Sequence, residues 1–90
     1  MMNKEILDLL EMILKGDQEA IASIINTQIN RLQIAADDWD NNHHGSNSSI
    51  YREYLEMELS TATGMIAVLK KHNHTTLADK LSIAVAYSAV

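Results

Sequence analysis

The residues able to do chemistry gather in a few places. His43-His44 and His72-Asn73-His74 are two histidine pairs, and histidine is a common zinc ligand. Each pair falls short of a zinc ligand set, and the chain has no cysteine to complete one. At helical rise the pairs lie about 40 Å apart, so one copy cannot unite them; only a site between subunits could. No metal and no cofactor is expected. Asp38-x-Asp40-x-Asn42 opens like a calcium loop, but His43 stands where that loop needs glycine and Ser49 where it needs a bidentate glutamate. The chain has no phosphate-cradling glycine loop, nucleophile elbow or His-Glu-x-x-His. Its serines, histidines and aspartates show no spacing that implies a triad. The expectation is a protein that is not an enzyme.

Two constellations remain. Asp37, Asp38, Asp40, Glu53, Glu56 and Glu58 crowd one region, with Arg52 as the base among them. Three of the four aromatics, Trp39, Tyr51 and Tyr54, fall in the same region. Aromatic anchors beside charge of one sign suit a protein interface that attracts a basic partner. Asp37, Asp38, Trp39, Asp40, Tyr51 and Tyr54 are therefore the candidate partner-binding residues. The plainer alternative is that the aromatics close the end of a core and the acids form a solvated rim. The second constellation centres on Glu58, which interrupts an apolar arc. An unpaired buried carboxylate is costly, so it needs partners; Gln28 and Arg31 are the candidates. Such a trio is either a polar pocket or a buried pair that sets helix register.

Helices must position these groups. Apolar residues recur at helical spacing over residues 4–15, 18–39, 50–71 and 77–89. Asn3 and Asp17 are cap candidates, Gly16 suits a left-handed helix end, and Ser48 or Ser49 suits the start of the third helix. Thr76 with Asp79 reads as a start signal for the fourth. The two long helices flank residues 40–49, a polar stretch without an apolar side chain that reads as a flexible loop. Folding back at His44–Gly45 pairs positions whose numbers sum to about 89. That sets Arg31 against Glu58 and Ile25 against Gly64.

A single domain of 90 residues is expected: an all-α, up-and-down bundle built on a long antiparallel helical hairpin. The short end helices should cover only the half remote from the polar loop, which leaves the wide arc of the third helix (Ile50, Tyr54, Met57) for a second copy or a partner to cover. Past Lys80 the fourth helix is uncharged, and Ile83, Tyr87 and Val90 point away from its main apolar face. Self-association through those three residues is expected. The net charge of −5 argues against phosphate binding. The segment from Thr76 to Ile83 superficially resembles the first part of a helix-turn-helix, but too little chain follows for a recognition helix. No membrane span or signal peptide is visible, and a soluble cytoplasmic protein is expected. The leading functional expectation is a partner-binding inhibitor, adaptor or accessory protein of a phage or mobile element. The alternatives are a helical oligomer with a small-molecule pocket between helices or subunits, or a purely structural subunit.

Overall fold

A computed structural model of the chain describes residues 3–89. Among them are four helices and no strand: α1 (Lys4–Lys15), α2 (Gln18–Asn42), α3 (Ser48–Lys71) and α4 (Thr75–Ser88). None is long and apolar enough to cross a membrane.

The turn from α1 to α2 is set by Gly16 and Asp17. Gly16 takes φ 73°, where its backbone N–H donates to Ile13 and the next N–H, of Asp17, donates to Met12. Asp17 then turns its carboxylate onto the N–H of Ala20, capping α2. Asn73, at φ 65°, does for α3 what Gly16 does for α1. Its conformation lets the His74 N–H reach the Leu69 carbonyl at 2.8 Å.

The contacts between α2 and α3 run in opposite chain order. Gln28 and Arg31 meet Glu58, and further along α2 Trp39 meets Arg52. α1 lies on one side of this pair, tied by the Asn3 amide donating to Thr61 Oγ1 at 2.9 Å. α4 packs on both long helices without touching α1, and Lys80 Nζ donates to Asn26. The core holds Leu9 of α1, Ile21, Ile25 and Leu32 of α2, Ala62, Met65 and Leu69 of α3, and Ala78 and Leu81 of α4. It therefore sits in the half remote from the α2–α3 turn. Beyond it the long helices continue as a two-helix arm, giving principal extents of 45 × 25 × 19 Å. The radius of gyration of 13.7 Å exceeds the roughly 12 Å of a rounded chain this long.

Three expectations are corrected. The loop is shorter than residues 40–49, because α2 continues through Asn42 and α3 starts at Ser48. The extension needs no apolar periodicity: Asn42 Nδ2 donates to the Asp38 carbonyl at 2.7 Å, and His43 Nδ1 lies 2.9 Å from the Asp40 carbonyl. Side chains thus satisfy the helix-end carbonyls. Asp40 is accordingly a helix residue. The fourth helix begins at Thr75, two residues before its expected start at 77, with His74 rather than Thr76 at its cap. Finally, Gly64 is not the gap for Ile25. A Cβ there would meet the Ile6 side chain, so the missing methyl is space for α1.

Candidate functional site

Glu58 is 6% exposed, and its neighbours use its polar atoms fully. Gln28 Nε2 donates to both the Glu58 carboxylate and the Glu58 backbone carbonyl, each at 3.1 Å. Arg31 Nε donates to Oε2 at 3.0 Å, and Arg31 Nη1 reaches Glu5 of α1 at 3.5 Å. The hydrogen bond to Glu58, then its charge, holds the Arg31 guanidinium above its ordinary range, with burial pulling the other way. No buried side-chain polar atom lacks a partner among the described residues. The Glu58 carboxylate is thus spent on its neighbours, while the half-exposed Arg31 keeps guanidinium N–H groups on its solvent side. The trio clamps the point where α1, α2 and α3 converge.

Next to this clamp, on the side of α1, a groove opens between α2 and α3. It begins where α1 ends, at Asn3, Thr61 and Met57. It continues over Arg31, Ile34 and Ala35 and reaches Ile50, Tyr51 and Asn47 near the turn. Tyr54 and Asp38 border it for much of this length. The depression nearest the turn has a volume of about 280 Å³. Ile34, Ile50, Tyr54 and Met57 are each 59–67% exposed, an unusual concentration of large apolar surface on one arm.

The structure divides the expected tip residues. Asp38, Tyr51 and Tyr54 line the groove together. Trp39 belongs to a different neighbourhood, its ring 5.6 Å from that of His43 and beneath the Arg52 guanidinium at 5.3 Å. Asp37 and Asp40 are exposed on α2. Tyr54 does not close the core end as its inward position on the arc implied: it is 59% exposed, because neither α1 nor α4 extends over it. The His43 and His44 rings lie with centroids 3.8 Å apart, tilted by 50°, and no group of three or more potential metal ligands occurs among the described residues.

Charge along the arm is one-sided. The chain has no lysine between Lys15 and Lys70, and the two arginines in that stretch are committed. Arg31 pairs with Glu58 and Glu5, and Arg52 pairs with Glu56 at 3.0 Å. Asp37, Asp38, Asp40 and Glu53 stand outside the ion pairs found among the described residues. Three of them occupy the last two turns of α2, where the helix dipole disfavours anions, and the last turn has no base to offset them.

A second apolar patch lies on α4. Ile83 is 59% and Tyr87 is 82% exposed, and with Ile29, Gln33 and Ala84 they border a hollow of about 260 Å³. Val90, the third residue expected in this patch, lies outside the described residues.

Sequence reasoning left Ile50, Tyr54 and Met57 as an arc in need of a cover, but missed Ile34 as a site residue and missed Asn3 and Glu5 at the foot of the groove. Ile34 carried a signal, since it stands apolar among polar neighbours on the outer side of α2. The α1 residues carried none, because nothing local to them reveals which stretch of the long helices they meet. Comparison of the chain with protein-family models, curated proteins and solved structures returns no match.

Proposed function

We propose that this chain is a non-enzymatic interaction module, an inhibitor, adaptor or accessory protein, that holds a protein partner on its acidic two-helix arm. The observation that carries this reading is the exposed apolar groove beyond α1, bordered by Asp38, a carboxylate without a cation among the described residues. Placing Asp37, Asp38 and Asp40 at a helix C-terminus works against stability. A local cost with no structural return is what a binding surface imposes. The small-molecule reading has weaker support, since both Glu58 carboxylate oxygens are engaged by Gln28 and Arg31. A cytoplasmic setting suits a chain without cysteine.

The test replaces Asp37, Asp38 and Asp40 together by Asn and compares capture from a host lysate with that of the parent chain. The specific partner is expected to fall at least tenfold, while the variant melts no lower than the parent because the dipole conflict is relieved. Undiminished capture by the triple variant removes the arm from this function.

Self-association belongs to the same reading, through Ile83 and Tyr87 on α4, a surface separate from the groove. Replacing both with Glu is expected to reduce the mass seen by light scattering to that of one chain. A parent chain that is already monomeric at high concentration defeats this part.

A further inference from the structure

We infer that the groove between α2 and α3 takes an amphipathic helix of the partner, about three turns seated in it, with basic residues flanking its apolar stripe. This rests on the arm being the partner-binding surface and goes on to say what binds there.

The first support is α1 itself. It is a helix lying across the same two rods, with Leu9 fully buried and Ile6, Met12 and Ile13 packed against the core. The groove runs on from its N-terminal end without a break, since Arg31, Tyr54 and Glu58 border both the depression at Asn3 and the next one along. Thr61 is buried under Asn3, so the open groove runs from Met57 to Asn47, about 15 Å at helical rise. α1 has 12 residues. The open length is therefore a little shorter than α1 and seats a helix of about three turns beyond it.

The second support is the order of side chains along the floor. Ile50, Tyr54 and Met57 stand at i, i+4 and i+7 on α3, and Ala35 of α2 faces them as a small residue. A floor with that repeat receives apolar anchors spaced i, i+3, i+4 and i+7.

The third support is charge. Asp38 borders the groove from α2, and Asp37 lies one helical step from Ile34. Glu53 flanks Ile50 and Met57 on α3. None of these acids has a cation among the described residues. Lys or Arg on both flanks of a docked helix would supply it. A second copy of this arm, docked face to face, would instead bring the same acids against one another.

The experiment selects from a library of 14-residue helix-forming peptides, displayed on phage and randomised on all faces, using the full-length chain as bait. Enriched peptides are expected to share apolar residues at i, i+3, i+4 and i+7 with Lys or Arg beside them. Bound to the labelled chain, they should shift the amide resonances of Ile34, Ala35, Asp38, Ile50 and Tyr54. Two exposed-site variants, Tyr54→Ala and the pair Asp38→Lys with Glu53→Lys, should each weaken binding at least tenfold with an unchanged circular dichroism spectrum. Four results overturn the inference. These are no enrichment, enriched peptides without basic residues, binding indifferent to both variants, and loss of self-association in Ile50→Glu, which would put a second copy in the groove. The selection uses no lysate. Failure here with lysate capture still lost in the Asn variant refutes the helical occupant and leaves the arm as the binding surface. The Asn variant capturing its partner in full refutes the arm itself.

Discussion

Glu58→Ala is expected to destabilise the fold by about 2–3 kcal/mol, a fall in melting temperature of about 10–15 °C for a chain of this size. Removing the carboxylate leaves the Gln28 amide, 1% exposed, with only the Glu58 backbone carbonyl to donate to. It also frees Arg31 from its shortest ion pair. The cost stays below that of breaking a fully sealed pair because the Arg31 side chain is 43% exposed and can turn to water or to Glu5. Converting Glu58 and Gln28 together to Leu removes donor and acceptor at once and should return stability to within about 1 kcal/mol of the parent. Thermal melts of the single and double variants decide the matter. If the single variant melts with the parent, the clamp is not structural.

The Glu58 arrangement was more legible than most of the site, for a mechanical reason. Two stiff helices joined by one short turn have a single pairing offset, and counting back from the turn puts Arg31 opposite Glu58. Their atoms meet at 3.0 Å. The same count put Gly64 opposite Ile25, yet Ile6 faces it. An offset between two helices cannot say where a third one lies. The contacts of α1 are spread along the chain, from Asn3 to Thr61 and from Glu5 to Arg31, and no local pattern encodes them. The extent of α2 was hidden for another reason. Asn42 and His43 hold the end of the helix through polar side chains, and a search for apolar periodicity stops at Trp39. Four helices in a compact all-helical chain follow from apolar spacing and from Gly16 and Asp17 at the first turn. The open arc of Ile50, Tyr54 and Met57 follows too, because short turns fold both end helices onto the other half; the course of the groove past Asn3 and Arg31 does not, because it depends on where α1 lies.

That dependence makes α1 the element whose loss should be most visible. Leu9→Ala is expected to cost about 2–5 kcal/mol, the range for a large apolar side chain truncated in a packed core. Leu9 is the one fully buried side chain of α1 and touches the core shared by α2 and α3. A 12-residue helix is marginal by itself in water, so tertiary packing keeps α1 helical. Once Leu9 is shortened, what remains is the partly buried Ile6, Met12 and Ile13, the Asn3–Thr61 hydrogen bond and the half-exposed Glu5–Arg31 pair. The loss should therefore be local before it is global. Amides of α1 should exchange with solvent faster than those in the centres of α2 and α3, which keep Ile21, Ile25 and Leu69 in a core shared with α4. Hydrogen exchange read by mass spectrometry separates the outcomes. Early, isolated loss of protection in α1 identifies it as a helix seated on a preformed two-rod surface, the relation proposed for the partner farther along the same groove. Simultaneous loss in α1, α2 and α3 would mean that the rods do not form that surface without α1, and a groove that needs its first occupant in place could not be treated as a rigid receptor for a second.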